Sequence, residues 1–544
     1  MSAYSVHRDT FAEDHLPPLE QWPELLFTLP ELQYPTRLNC AVELVDAWVE
    51  RGHGDAPALY GASGMLTYTQ LRERVDQVAH VLVDDLGLVP GKRVLLRGAN
   101  NTMLAICWLA VVKAGLVAVA TMPLLRSKEL VDVIEKARVS VAICDRQLAE
   151  ELQEAQERAP LLQRVLYFND PGPDSLEERM AGRQAPFCAV DTAAEDTALI
   201  AFTSGSTGKP KATMHFQRDL LAICDCFPKS VVGLAQDDIC VGTPPLAFTF
   251  GVGALLLFPL RVGAATVLLE KLTPESMLQA IQSYRATVTW STPLFYRQMA
   301  ALASQYHLPT LRKSVSAGEA LPISTRSLWR EATGIEIIDG IGSTEMLHIF
   351  IAAAGADVRP GATGKPVPGY QACILDEDGQ QLPPGAVGRL GVKGPTGCRY
   401  LDDERQLTYV QNGWNLTGDA YLMDDDGYFW FQSRTDDMIV TAGYNVAGPE
   451  VENALLEHPA VAECAVVGAP DAERGTIVKA FVVLRPGYTQ SEQLARELQN
   501  FVKQQIAPYK YPRAIEFCAG LPRAGTGKVQ RYKLRLQEQG RDNG

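Results

Sequence analysis

From Gly91 onward the hydrophobic period of the chain alternates between that of a strand and that of a helix, and this restricts the fold more than any other feature. A strand is predicted at Val94–Leu96, a turn at Gly98–Asn101, a helix near Met103–Ala114 and a second strand at Val117–Thr121. A helix over Glu129–Ala137 and a strand over Ser140–Cys144 repeat the unit. The same order returns at Gly263–Leu269, Glu275–Tyr284 and Thr287–Trp290. Strands separated by helices pair in parallel through crossovers, so an α/β N-terminal part built of βαβ units around parallel sheets is expected. After about Gly369 the texture changes to short strands and tight turns, at Asp376–Gly379, Pro383–Gly385 and Asp424–Gly427, which predicts a β-rich subdomain over about 370–434. Beyond Arg434–Asp437 a compact tail alternates a helix at Glu450–Leu456, strands at Ala462–Val467 and Ala480–Leu484, and a helix at Glu492–Gln505. The expected division is a large N-terminal domain, residues 1–434, and a small α+β C-terminal domain, residues 435–544.

At 544 residues the chain exceeds what one core usually supports, which agrees with that division. A net charge of -14 argues against a nucleic-acid partner, because such binding needs a basic stripe to displace counterions. The eleven cysteines are irregularly spaced, with Cys224 and Cys226 in a Cys-x-Cys pair, and read as buried reduced thiols rather than a metal or redox centre. Met103 to Leu125 is the most lipid-like stretch, but Lys113 interrupts it and Gly115 breaks it; a buried helix followed by a strand accounts for it without a membrane. His7, Arg8, Asp9, Glu13 and Asp14 precede any apolar run, so no cleavable signal peptide is visible and the cytoplasm is the expected compartment.

The most specific stretch is Thr203-Ser204-Gly205-Ser206-Thr207-Gly208-Lys209-Pro210-Lys211, directly after the apolar run Thr197–Phe202. A strand delivers this segment to a surface loop. Two glycines allow close backbone approach, while hydroxyls, N–H groups and Lys209 and Lys211 supply donors for phosphate oxygens. The loop is a polyphosphate cradle but not a Walker A motif: Thr203 stands where a glycine is required, and Pro210 replaces the Ser/Thr that would meet magnesium.

This segment closely resembles the phosphate loop of the adenylate-forming superfamily: acyl-CoA synthetases, luciferases and peptide-synthetase adenylation domains. Later motifs of that family recur in order at Gly340-Ile341-Gly342-Ser343-Thr344-Glu345, Leu416-Thr417-Gly418-Asp419, Arg434-Thr435-Asp436-Asp437 and Gly525-Thr526-Gly527-Lys528. The resemblance implies a chain that activates a carboxylic acid with ATP and passes the acyl group to coenzyme A. By resemblance Glu345 holds Mg²⁺ against the phosphates, as a hard oxygen ligand suits that ion. Asp419 and Arg434 would reach the ribose, and Ala317, Gly318, Glu319 and Ala320 with Asp339, Gly340 and Thr344 would surround the adenylate. Lys528 would bridge the carboxylate and the α-phosphate, with Lys211 and Mg²⁺ as further positive charge. Asp436 matches the hinge about which the C-terminal domain swings, and Gly443 and Tyr444 fall on the loop lining the pantetheine tunnel.

Within the superfamily the chain is most similar to aryl-CoA ligases of the benzoate and 2-aminobenzoate type, through Ile341-Gly342-Ser343-Thr344-Glu345-Met346-Leu347-His348 and the opening segment. Phe248, Thr249 and Phe250 fall where the family has its aromatic acid-pocket motif. A flat apolar slot formed with Ala317, Ile341, Gly342 and His348 would suit a benzene ring. The alternate spacing of Phe248 and Phe250 also fits plain core packing on a strand, which is the expectation for one of the two. The implied partners are an aromatic acid, ATP and coenzyme A, with neither nucleic acid nor membrane; the oligomeric state is open, a homodimer among the options. The rival readings are an adenylating enzyme that loads a carrier protein in trans and a non-catalytic nucleotide-binding homologue. A hydrolase is disfavoured because no Gly-x-Ser-x-Gly elbow exists.

Overall fold

A computed structural model describes the chain except residues 1–3, 204–209, 322, 435–437, 523–528, 530 and 543–544. Two sheets carry the N-terminal part. In the six-stranded sheet the order is Arg164–Phe168, Val141–Asp145, Arg93–Arg97, Val117–Thr121, Thr197–Thr203, Lys211–Phe216, parallel throughout except for the last strand. In the nine-stranded sheet a parallel centre runs from Ile337–Gly342 through Lys313–Ser316, Val288–Ser291, Ile239–Gly242 and Ala265–Val267 to Pro57–Gly61, with antiparallel strands at both edges. Helices cover the faces, so Arg93–Arg97 and Val141–Asp145 are buried at every residue.

The lipid-like stretch resolves into the helix Thr102–Lys113 followed by the strand Val117–Thr121. Asn101 caps the helix by accepting from Leu104 N at 2.9 Å. At its other end Lys113 is buried between Asp46 and Asp76, at 2.7 and 2.5 Å, so the charge that breaks the apolar run is neutralised inside the domain. Among the described residues no helix is long and apolar enough to cross a membrane. All eleven cysteines are free, and all but Cys188 and Cys518 are buried.

The predicted β-rich segment forms a five-stranded antiparallel sheet from Gln371–Leu375, Val387–Lys393, Val410–Gln411, Trp414–Met423 and Phe429–Arg434. After it come the hairpin Met438–Thr441/Tyr444–Ala447, the three strands Val461–Asp471, Gly475–Leu484 and Ala514–Phe517, and the helices Gly448–Leu456, Glu492–Gln505 and Arg531–Asp542. Two apolar clusters there draw only on residues from Ile439 onward, which is the sign of a separate core.

Candidate active site

A cavity of about 1160 Å³ opens where the carboxyl ends of the parallel strands in the nine-stranded sheet meet the six-stranded sheet, the β-rich sheet and the C-terminal tail. Ligand crevices in α/β folds form at such strand ends, because the loops leaving them carry side chains but no ladder hydrogen bonds. Ala317, Gly318, Glu319 and Ala320 reach the wall directly after the strand Lys313–Ser316, and Asp339, Gly340, Ile341 and Gly342 from the adjacent strand. Asp419 lines the cavity from Trp414–Met423, and its Cα pairs with that of Arg434 across the ladder.

The strand Thr197–Thr203 delivers the predicted phosphate loop and Lys211–Phe216 leads away from it, with Thr203 and Lys211 directly opposite each other. Thr203 and Pro210 line the cavity. Ser204, Gly205, Ser206, Thr207, Gly208 and Lys209 lie outside the described residues, as do Asp436 and Lys528.

Thr344 is on the wall and Glu345 is buried just behind it. The Thr344 carbonyl receives a hydrogen bond from His215 Nε2 at 2.8 Å. Burial pushes the His215 imidazole down to about 4, so the ring is neutral with its proton on Nε2. Glu345 Oε1 accepts from the Tyr400 hydroxyl at 2.5 Å. Asp339 Oδ1 is buried without a hydrogen-bond partner among the described residues, and desolvation raises its carboxyl to about 7. An acceptor of this kind on a cavity wall fits a ligand N–H donor, such as the exocyclic amine of a purine.

The pocket's inner end is aromatic. Phe248, with extended backbone, immediately precedes the short helix Thr249–Val252 and Phe250 lies within it, so the two do not share a strand; both are half-buried and both line the cavity. The reason is Gly251: a Cβ there would lie 1.9 Å from the Pro245 carbonyl oxygen, so only glycine lets the helix begin against the Pro244-Pro245 turn. His348 lies among Phe227, Phe250, Phe258 and Trp290, with centroids 5.9, 5.6, 4.4 and 6.5 Å away. Its Nε2 faces the Phe250 carbonyl at 3.4 Å, and burial lowers its pKa to about 3, so the ring serves as a neutral flat wall.

The C-terminal tail closes the opposite side. Gly443 tips the hairpin and donates its N–H to the Glu319 carboxylate. Tyr444 stacks on Tyr509 at 4.3 Å and meets the Phe248 edge at 6.5 Å. Lys510 bridges Glu129 and Glu450 at 2.5 and 2.7 Å, fastening the tail to the N-terminal part at the cavity rim. His215, Tyr400 and Lys510 were not singled out from the sequence. Each meets its partner across tens or hundreds of residues, and no local spacing signals such a contact.

Two family models match the chain: AMP-binding enzyme over residues 45–399 and AMP-binding enzyme C-terminal domain over residues 450–528. The chain belongs to the AMP-binding enzyme family. As an AMP-binding enzyme it is 36% identical over 515 residues to a benzoate–CoA ligase of Thauera aromatica, covering 93% of this chain and 98% of that one. It is 33% identical over 533 residues to a mitochondrial acyl-coenzyme A synthetase of Homo sapiens, covering 93% and 92%. Among solved structures it resembles the anthranilate CoA ligase AuaEII in complex with anthranoyl-AMP, with a TM-score of 0.73, 34% identity and coverage of 94% and 99%. This AMP-binding enzyme is thus an adenylate-forming ligase of the acyl- and aryl-CoA ligase group, close to the benzoate and aminobenzoate CoA ligases.

Proposed function

We propose that the enzyme is an aryl-CoA ligase that activates an aromatic carboxylic acid of the benzoate or 2-aminobenzoate type. The observation that carries this reading is the aromatic chemistry of the inner pocket. Phe250, Ile341 and the neutral His348 line the cavity, and Phe227, Phe258 and Trp290 pack around His348, a wall that suits a flat aromatic ring. The similarity to a benzoate–CoA ligase and to a structure holding anthranoyl-AMP supports it.

In the first half-reaction the acid carboxylate attacks the α-phosphorus of ATP and pyrophosphate leaves. The protein's task is to align the reactants and offset growing negative charge. In this reading residues 203–209 and Lys211 cradle the phosphates, Asp419 and Arg434 hold the ribose, Asp339 accepts from the adenine amine, and Lys528 bridges carboxylate and α-phosphate. Glu345 offers a hard carboxylate oxygen directly beside Thr344 on the cavity wall. That fits Mg²⁺, which is commonly bound through one or two carboxylates plus substrate phosphates. Bound with ATP, Mg²⁺ would neutralise charge on the phosphates.

In the second half-reaction the coenzyme A thiol attacks the acyl-adenylate carbonyl and AMP leaves. We assign the arrangement described here, with the Gly443 hairpin docked on the cavity, to this step. Residues 1–434 and 435–544 are then the two domains and Asp436 is the hinge between them. The test is a panel of acids with ATP and coenzyme A, scored for AMP and acyl-CoA. Benzoate or 2-aminobenzoate should exceed palmitate in kcat/KM by orders of magnitude; parity would refute the pocket reading.

A further inference from the structure

Glu345 is held from behind by a residue distant in sequence. Tyr400 is 1% exposed, and the hydrogen bond from its hydroxyl to Glu345 Oε1, at 2.5 Å, is the charge-assisted kind, short and roughly twice as strong as a neutral one. The phenol is itself fixed. Tyr400 N donates to Gln406 Oε1 at 2.9 Å, and Gln406 Nε2 donates in turn to the Gln21 and Cys398 carbonyls. Tyr400 bridges to Thr213, Leu401 N donates to the Ala212 carbonyl at 2.8 Å, and the Tyr409 ring closes on Tyr400 edge-on at 5.7 Å. The chain around Tyr400 is therefore stitched to the strand that leaves the phosphate loop, and Lys211 Nζ lies 5.4 Å from the Tyr400 ring centre. One side chain thus links the two walls of the triphosphate site: its ring borders the lysine of one and its hydroxyl holds the carboxylate of the other.

We infer that Tyr400 is a positioning residue: by occupying Glu345 Oε1 it leaves Oε2 as the single oxygen turned toward the cation that accompanies ATP, an inference that rests on reading Glu345 as that cation's ligand. Among the described residues the Glu345 carboxylate has no other hydrogen-bond partner, so without the phenol it could rotate toward Lys211 or chelate with both oxygens. One-oxygen ligation suits a small cation that keeps near-octahedral geometry among phosphate oxygens and waters. Removing a hydrogen-bond partner of a metal ligand typically costs 10–100-fold in affinity, which sets the expected effect.

The test compares wild type, Tyr400→Phe, Glu345→Gln and the double variant, with Mn²⁺·ATP as the probe. Binding is followed by electron paramagnetic resonance without acid or coenzyme A, and benzoyl transfer from supplied benzoyl-adenylate to coenzyme A is measured separately. Tyr400→Phe keeps the ring and its packing, and should weaken Mn²⁺·ATP binding by roughly tenfold or more. Transfer from benzoyl-adenylate, which carries no triphosphate, should stay near wild type. In the Glu345→Gln background the Tyr400 change should have no further effect on Mn²⁺·ATP. The inference is overturned if Tyr400→Phe binds Mn²⁺·ATP as the wild type does while Glu345→Gln does not. It is overturned equally if Tyr400→Phe weakens Mn²⁺·ATP binding and slows transfer from benzoyl-adenylate alike with a lowered Tm, the sign of a merely structural role. Unchanged binding in Glu345→Gln would instead remove the ligand role of Glu345 itself, and the inference with it.

Discussion

Replacing Gly443 by alanine should separate the two half-reactions, and the structure supplies the size of the effect. Gly443 occupies the second position of the hairpin turn with φ +80°, after Ala442 at φ 49°. An added Cβ has two consequences that fall on different states. The left-handed backbone costs alanine about 1 kcal/mol wherever the hairpin exists, docked or not, and so lowers overall stability alone. The second consequence exists only when the hairpin is seated: the new Cβ would lie 2.6 Å from Thr292 Cγ2, far inside contact distance. Forcing a methyl group into a packed contact costs about 1–3 kcal/mol. That is roughly a 5- to 150-fold loss of the docked arrangement.

Single-turnover measurements should therefore show acid-dependent pyrophosphate release within about twofold of wild type, and acyl transfer from supplied acyl-adenylate slowed by roughly 5- to 150-fold. Thr292→Ser removes the one atom closer than 3 Å to the new Cβ and should restore transfer in the Gly443→Ala background. Equal loss in both half-reactions, or no rescue by Thr292→Ser, would show that docking of the hairpin is not what acyl transfer requires.

Two further outcomes follow from the same site. Lys528→Ala should reduce adenylation by roughly 10²–10³-fold, the usual cost of removing one group that stabilises transition-state charge, while sparing transfer from supplied acyl-adenylate; equal loss of both in a folded protein would refute the role. Asp339 has its folded pKa raised by burial from 3.8 to about 7, so the ligand-free fold is favoured below the lower value and penalised as pH rises to the upper one. Denaturant unfolding should show wild type losing about 1.4 kcal/mol per pH unit relative to Asp339→Asn across that window, up to roughly 4 kcal/mol. Saturating ATP should narrow the difference, whereas a gap constant from pH 5 to pH 8 would show that the carboxyl titrates normally.

The fold class was legible because its causes are local. The switch of period around Val94–Thr121 and again around Gly263–Trp290 is written in consecutive residues, and both stretches fold into parallel sheet. Even the helix Glu492–Gln505 has the bounds its apolar spacing predicts. The wall of the cavity was legible for a related reason. Small residues such as Gly318, Gly340 and Gly342 cluster in short motifs because one loop must let a ligand approach its backbone, and the cavity brings those motifs together.

What the sequence by itself determined, then, is the α/β architecture, the β-rich segment and the family, each a property of neighbouring residues. The tertiary structure alone decided that a short helix begins between Phe248 and Phe250, because that depends on the closeness of Gly251 to Pro245. It alone decided that His348 is a neutral ring inside an aromatic cage, because desolvation by Phe227, Phe258 and Trp290 is a matter of packing and not of sequence position. The pairing of Tyr400 with Glu345 and of Lys510 with Glu129 and Glu450 has the same origin. Hydrogen bonds and ion pairs form between whatever groups the packed cores bring within about 3 Å, and partners so distant in the chain leave no periodic trace in it.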